Sequence, residues 1–492
     1  MIETEIAHGR RHSGLDPQRA DGAARKLATS GLAAGALWLA TAAAGLAQDA
    51  VVAVDAVPVP DKGDTTWVMI SAILVMMMTI PGLALFYGGL VRGRNVLSVL
   101  MQVFTVFCIM TILWVAFGYS LAFTGAGDAA DAGFLTPFIG TFDKAFLSGV
   151  TTDSLAETFS TGVFIPELSF VIFQMAFACI APALIVGATA ERLKFGAILM
   201  FIVIWFFISY LPMAHMVWWW GGPSAYDAPG GFLFNHGALD FAGGTVIHIN
   251  AAIAGLVAAY VAGPRLGYGR ELMAPHNLTF TLLGGCLLWI GWFGFNAGSN
   301  LEANGLTAMA ILNTAVATSA AALAWTCGEW AMRGHPSLLG AVSGAVAGLV
   351  GVTPAAGFVG PMGAIAIGIA AGLLCMWFVV ILKSKLGVDD SLDVFGIHGV
   401  GGIVGAILTG VFAAPSLGGT GVFDYATNAV ADFSMGAQLW SQLTGVVVCI
   451  IWSGVASFIA IYVTKAVIGL RVSETDERQG LDTTTHGESA YN

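Results

Sequence analysis

Long apolar stretches dominate this sequence and recur eleven times between residues 66 and 468. A helix needs about 20 apolar residues to cross the hydrocarbon core of a membrane. Only 10% of the residues are charged, whereas a soluble domain carries about 25%, so most of the surface must face lipid. The sequence therefore predicts an all-α polytopic membrane protein with eleven transmembrane helices. The predicted spans are 66–88, 95–123, 165–190, 196–218, 240–262, 277–298, 305–331, 337–353, 360–382, 394–413 and 439–468.

The amino-terminal segment resembles a secretion signal. Residues 1–30 are polar and basic, and the short apolar stretch 31–47, rich in Ala and Gly, follows them. This order is typical of a signal peptide, which we expect to be cleaved near Ala47. Residues 48–65 would then form a leader outside the membrane. An uncleaved first helix is the alternative.

Basic residues gather in alternate loops between the predicted spans, while the opposite loops contain only Lys144. Cytoplasmic loops are enriched in Lys and Arg, so the first set marks the cytoplasmic side of a cell (inner) membrane. The mature amino terminus is then outside, and after eleven spans the carboxyl terminus is cytoplasmic. The basic loop residues are Arg92, Arg94, Arg192, Lys194, Arg265, Arg270, Arg333, Lys383 and Lys385.

The fifth and tenth predicted spans contain similar segments, HINAAIAG beginning at His248 and HGVGGIVG beginning at His398. An aspartate precedes each histidine, Asp240 in the first copy and Asp393 in the second. Because the second copy begins five spans after the first, the halves must run in opposite directions. Such inverted repeats are common in transporters, whose working site lies between the halves. Chance similarity between two Gly-rich helices is the alternative.

The two histidines are the first candidates for function. A polar side chain inside a membrane span is costly unless it has a partner or a role. If the two repeats face each other, one imidazole can donate a hydrogen bond that the other accepts. Such a pair can bind a small neutral solute or relay a proton. Its alternatives are a purely structural pair and a metal site, but no third ligand has suitable spacing.

Aromatic residues form a second candidate group. Phe173 and Phe177 are one helical turn apart, Phe295 and Ser299 share the end of a span, and three Trp residues occupy 218–220. Aromatic faces attract cations, most strongly where water is excluded, so these residues can form a cage for a small cation. An ordinary interfacial aromatic belt is the alternative.

Asp240 begins the fifth predicted span. It can serve as an ordinary helix cap, or as a carboxylate near the outer mouth that stabilises a cation without touching it.

Several classes of function have little support. The net charge of −11 and the lack of a basic run argue against nucleic acid. No Cys or His spacing indicates a zinc site, and no nucleophile and base set indicates an enzyme, so no cofactor is expected. The sequence contains no NPA motif, which argues against an aquaporin. A sensor and a channel for another neutral solute remain alternatives.

Seven segments together resemble the ammonium transporter (Amt) family, which includes the Rh proteins. The resemblance runs from about residue 66 to residue 492. Its motifs are PGLALFYGGLVRGRNVLS, FACIAPALIVGATAERLKF, HGALDFAGGTVIHINAAIAGL, WIGWFGFNAGS, PSLLGAVSGAVAGLVGVTPAAGFV, DVFGIHGVGGIVG and GLRVSETDERQGLDTTTHGESAYN.

The resemblance implies a channel domain at 66–469, a homotrimer with one pore per subunit, and roles for the candidate residues. Ammonium would be recruited by Trp218, Ser299 and Phe173 with support from Asp240, and it would lose its proton near a gate of Phe177 and Phe295. Neutral ammonia would then pass the twin histidines, His248 and His398.

The resemblance also implies that the tail, 470–492, docks on the cytoplasmic face, where a trimeric PII-type signalling protein can block the pore. This chain departs from the family after HMVW. Trp219, Trp220 and a longer loop stand where the family usually has glycines, which leaves open which Trp serves recruitment.

Overall fold

A computed structural model describes residues 58–126 and 132–491 of the chain. The predicted signal peptide and the leader up to residue 57 lie outside the described residues. All helices and strands described below belong to the unit Val59–Asn492.

Apolar helices form nearly all of this unit, so the prediction of an all-α polytopic membrane protein is confirmed. Ten helices in the described part of the chain are long and apolar enough to cross a membrane. A further apolar helix, α8, has only 15 residues. It is about 22 Å long, which is less than the hydrocarbon thickness of about 30 Å. The helices are α1 Lys62–Leu90, α2 Gly93–Phe123, α3 Glu167–Thr189, α4 Phe195–Trp218, α5 Gly244–Ala262, α6 Leu278–Gly298, α7 Gly305–Arg333, α8 Leu338–Val352, α9 Pro361–Leu382, α10 Phe395–Phe412 and α11 Met435–Ile468.

Short elements occupy the connections. A tail helix, α12, spans Glu474–Gln479. Strands β1 (Leu155–Glu157) and β2 (Phe164–Pro166) pair in antiparallel fashion, as do β3 (Phe423–Asp424) and β4 (Ala429–Val430). Single helical turns lie at Ala145–Leu147, Pro223–Ala225, Phe232–Asn235, Lys383–Leu386, Pro415–Leu417 and Asp482–His486.

Polar side chains fix where several helices begin. Asp61 accepts a hydrogen bond from the backbone N–H of Asp64, so α1 begins four residues before its predicted start. Asn277, Asn304 and Ser337 cap α6, α7 and α8 in the same way. A capping oxygen satisfies an N–H that has no partner within the helix.

Wide π-type turns interrupt the helices, and two of them contain the candidate histidines. His248 lies in Gly244–Ile249 at the start of α5, and His398 lies in Phe395–Gly399 at the start of α10. π-type turns inside α-helices occur often at functional sites. The other such turns in the membrane helices are Met78–Leu83, Trp114–Gly118, Phe206–Tyr210 and Phe378–Leu382.

Helices α5 and α10 pack closely and run in opposite directions. A Cβ atom on Gly402 would lie 3.0 Å from the carbonyl oxygen of Gly244, and one on Gly255 would lie 3.6 Å from Val394. The start of each helix therefore meets the later part of the other, as the inverted repeat requires.

The tail packs against one end of the bundle, which we call the tail face. The backbone N–H of Leu481 donates to Asn95 Oδ1, and that of Ser98 donates to Asp482 Oδ1, both at 2.8 Å. Two segments nearly 400 residues apart in sequence are thus joined through side-chain acceptors.

Candidate functional site

The two intramembrane histidines are in direct contact. Their Nδ1 atoms are 3.2 Å apart, and the ring centroids are 5.2 Å apart with the planes 18° from parallel. His248 is 2% exposed and His398 is 5% exposed. One Nδ1 must donate and the other accept, so the two rings share one hydrogen. The structure therefore brings together the pair that the repeat predicted.

A buried carboxylate positions each histidine helix at its start. Asp240 accepts backbone hydrogen bonds from Gly243, Gly244, Thr245 and Val246 at 2.6 to 3.0 Å. Asp240 therefore precedes α5 instead of lying in its first turn, and it satisfies four N–H groups where an ordinary cap satisfies one or two. Its oxygens are fully engaged, so it acts on the site by holding the backbone.

The counterpart of Asp240 in the second repeat is Asp390, and not Asp393, the nearer aspartate noted in the sequence. Asp390 is 3% exposed and accepts the backbone N–H groups of Val394 and Phe395 at 3.1 and 2.7 Å. Asp393 instead pairs with Lys383. Asp240 and Asp390 each lie eight residues before their histidine. That matching spacing is the signal that could have identified Asp390.

Sequence reasoning also missed Trp292, which covers one face of His248. The two ring centroids are 5.4 Å apart and the planes are 20° from parallel. The indole N–H of Trp292 donates to Thr353 Oγ1 at 2.9 Å, which fixes its orientation. The stacked indole keeps the imidazole of His248 in one plane.

Phe177 and Phe295 form a stacked pair between Trp218 and the histidines. Their centroids are 4.4 Å apart with the planes 26° from parallel, and both rings are almost fully buried. Phe295 lies 5.9 Å from His248, and Phe177 lies 6.1 Å from Trp218. A continuous series of rings therefore leads from Trp218 to the histidine pair.

The three Trp residues after Val217 have different neighbours. Trp218 is partly exposed, contacts Phe177, and donates its indole N–H to the carbonyl of Asp240 at 3.0 Å. Trp219 stacks on His215, whereas Trp220 packs against Phe159, Phe234 and Tyr425. Within the described part of the chain, Trp218 alone of the three borders the phenylalanine pair.

The remaining predicted residues lie beside this series. Phe173 contacts Phe177 edge-on at 4.8 Å, and a Cβ atom on Gly298, next to Ser299, would lie 2.9 Å from the Phe173 ring. The Ser299 hydroxyl donates to the Phe295 carbonyl at 2.8 Å. Because its hydrogen is engaged, the Ser299 oxygen keeps lone pairs that can accept a hydrogen bond from a solute.

A network of buried ion pairs holds the tail face. Glu191 accepts two hydrogen bonds from Arg92 and pairs with Arg265, which also pairs with Asp389. Burial would raise the pKa of Glu191, but the bonds from Arg92 and the charge of Arg265 outweigh it and lower that pKa. The pKa of Asp389 is lowered in the same way, with Arg265 outweighing burial. These carboxylates therefore stabilise the fold above pH about 4, and that stabilisation is lost as the pH falls through the lowered folded-state values.

A family model described as Ammonium Transporter Family matches residues 66–491. The chain is 46% identical to an "Ammonium transporter" of Aquifex aeolicus, over 88% of this chain and 94% of that relative. It is 44% identical to an "Ammonium transporter" of Bacillus subtilis, over 87% of this chain and 98% of that relative.

Solved structures agree with these matches. A "Sensor Amt Protein" superposes with a TM-score of 0.75 at 27% identity, over 86% of this chain and 98% of that one. The crystal structure of Candida albicans Mep2 superposes with a TM-score of 0.73 at 31% identity, over 85% and 88%.

Proposed function

The chain belongs to the ammonium transporter family and is a multi-pass membrane transporter of ammonium, and from this premise we propose how its residues act. Ammonium is recruited beside Trp218, loses its proton at the stacked phenylalanines, and crosses as ammonia past His248 and His398. The observation that carries this proposal is the unbroken series of ring contacts from Trp218 to the histidine pair.

Recruitment rests on the partial exposure of Trp218 and on the Ser299 oxygen. The indole offers a π face to a cation, and Ser299 Oγ can accept one of the N–H bonds of ammonium. Asp240 holds Trp218 through its carbonyl. Its carboxylate is engaged by four backbone N–H groups, so its negative charge acts on the cation at a distance.

Selectivity follows from the buried, apolar surroundings of Phe177 and Phe295. Transfer of a persistent cation into such surroundings is strongly unfavourable. Ammonium can shed its charge by losing a proton, and potassium cannot. His248 Nε2 is buried and has no hydrogen-bond partner among the described residues, so a neutral ammonia molecule can satisfy it.

Replacement of Trp218 by Leu tests the recruitment step. We expect the half-saturation concentration for methylammonium to rise by about 2- to 30-fold, since a cation–π contact is worth about 0.5 to 2 kcal/mol. The maximal rate should change less, because the histidine pair is untouched. Radiolabelled methylammonium uptake over a concentration series measures both quantities.

The matched control is Trp220→Leu, which removes the same side chain two positions away, outside the ring series. An unchanged half-saturation concentration in Trp218→Leu, or an equal rise in both variants, would contradict recruitment by Trp218.

The fate of the released proton distinguishes two transport modes. If the proton also crosses the membrane, separately from ammonia, the net event is electrogenic. If the proton goes back to the outer solution, only neutral ammonia crosses and no charge moves. Currents proportional to the ammonium added should then appear when the purified protein is reconstituted on a supported membrane. Intact methylammonium uptake without current would count against this mode.

The family supports further proposals about assembly and orientation. We propose a homotrimer with a pore in each subunit, in the inner cell membrane, after removal of residues 1–47 as a signal peptide. The mature amino terminus is then outside and the tail, 470–492, is cytoplasmic, where a PII-type signalling protein docks.

Native mass spectrometry of the mature protein tests the trimer and the cleavage. A monomer would refute the trimer, and an intact amino terminus would refute the cleavage. A carboxyl-terminal tag reachable only from outside would refute the orientation, and failure of a PII-type protein to bind the tail-bearing face would refute that partner.

A further inference from the structure

A cavity of about 240 Å³ opens on the tail face between three segments of the chain. One wall is the tail helix α12, the second is the connection between α1 and α2 together with the first turn of α2, and the third is the loop that follows α5. Its lining residues are Arg92, Arg94, Leu266, Glu271, Glu477 and Arg478. Three arginines and two glutamates thus surround one small space.

Two of the charged groups in this cavity are already neutralised. Arg92 pairs with Glu191 at 2.6 Å, and Glu477 pairs with Arg471 at 2.6 Å while accepting the N–H of Leu266. These groups build the walls and contribute little net charge.

The other two arginines are uncommitted. Arg94 and Arg478 are exposed, and in the described part of the chain their guanidinium groups form no ion pair or hydrogen bond. Glu271 faces the same cavity and likewise has no ion-pair partner there. The uncompensated charge of the cavity is therefore positive, two arginines against one glutamate.

The backbone around the cavity is fixed in advance. Gly480 has a φ of 108°, and a Cβ atom there would lie only 2.5 Å from Arg94 Cβ. The next residue, Leu481, donates its N–H to Asn95 at 2.8 Å. The segments that carry Arg94 and Arg478 are thus packed backbone to backbone, so a ligand can bridge the two guanidinium groups without reordering the chain.

From this arrangement we propose that the cavity is an anion site for a phosphate group, held by Arg94 and Arg478. A guanidinium presents paired N–H donors that match phosphate oxygens, and Arg is favoured wherever such planar recognition is needed. A bound phosphate joins the first turn of α2 to the tail, and so stabilises the docked tail. The phosphate can belong to a soluble molecule or to the headgroup of an anionic lipid.

The two glutamine variants Arg94→Gln and Arg478→Gln test this site with pyrophosphate as the probe. Full-length protein in phosphatidylcholine nanodiscs is titrated by calorimetry at low ionic strength. Each variant should weaken pyrophosphate binding by about tenfold or more, since one charge-assisted contact is worth about 1.5 to 3 kcal/mol. Both side chains are exposed, so the fold is retained, and the unfolding temperature without pyrophosphate checks this.

Two further variants make the test specific. Glu271→Gln removes the opposing charge and should tighten pyrophosphate binding. Arg333→Gln is the matched control, because Arg333 is an exposed arginine at the end of α7, paired with Glu329 outside the cavity. Its affinity for pyrophosphate should equal that of the unaltered protein.

A second arm identifies the source of the phosphate. If pyrophosphate does not bind, native mass spectrometry compares retention of phosphatidylglycerol over phosphatidylcholine in the same variants. Loss of that preference in Arg94→Gln and Arg478→Gln, but not in Arg333→Gln, would identify a lipid headgroup. The proposal is overturned if neither probe binds, or if the probe that binds is held by the two arginine variants as well as by the control. Binding is measured without transport, so its failure leaves the proposed function untouched.

Discussion

Replacing Asp240 by Ala should abolish methylammonium uptake, with a clear loss of stability as well. The variant would leave four buried N–H groups without an acceptor, at about 1 to 3 kcal/mol each, at the start of the helix that carries His248. The same segment holds Trp218 through the carbonyl of residue 240. Uptake by cells and the unfolding temperature of the purified protein measure the two effects.

Two variants separate a specific effect from general damage. Asp240→Asn keeps the shape but has one acceptor oxygen in place of two, so its uptake and stability should lie between those of Asp240→Ala and the unaltered protein. Asp153→Ala removes an exposed carboxylate from a loop between α2 and α3 and should change neither. Uptake at the unaltered level by Asp240→Ala would refute the role of this carboxylate in the pore.

Replacing His248 by Ala should lower methylammonium uptake by about tenfold or more, since each 1.36 kcal/mol added to the barrier is tenfold in rate. The change removes a shared hydrogen bond and leaves Nδ1 of His398 without its partner. It also removes the ring that stacks on Trp292. Uptake at saturating methylammonium is the measurement, with the amount of protein in the membrane determined in parallel.

A double-mutant cycle tests whether the histidines act as one unit. If they do, His398→Ala should resemble His248→Ala, and the double variant should be little worse than either, because the effects of residues in contact are not additive. His335→Ala, in an exposed loop, is the control. Full uptake by both His248→Ala and Asp240→Ala would rule out the pore assignment.

Much of this architecture could be predicted because it depends on local properties of the chain. A stretch such as Phe195–Trp218 is apolar over a whole span, and that property alone commits it to the membrane. The matched spacing around His248 and His398 was also visible, since a repeat leaves its pattern in sequence. The helix ends were less accurate, as at Asp61, whose capping bond extends α1 beyond the apolar stretch.

The site was only partly predictable because its choices depend on packing. Three consecutive Trp residues are equivalent in composition, yet Trp218 borders Phe177 while Trp219 stacks on His215. Asp390 and Asp393 both lie within eight residues before His398, and only the packing shows that Asp390 holds the start of α10. No sequence pattern indicated the role of Trp292, since its contact with His248 joins two different helices.

The sequence by itself determined that this protein lies in a membrane, and it predicted inverted repeats that carry two costly histidines at equivalent positions. The free energy of transfer into a membrane depends on each residue by itself, and the spacing of a repeat is visible in the sequence. Both can therefore be evaluated without coordinates. Only the tertiary structure decided that the two rings touch at 3.2 Å, that Asp390 mirrors Asp240, and that Arg94 and Arg478 share one cavity. Those contacts join segments about 150 to nearly 400 residues apart, and close packing between helices, which no local pattern encodes, brings them together.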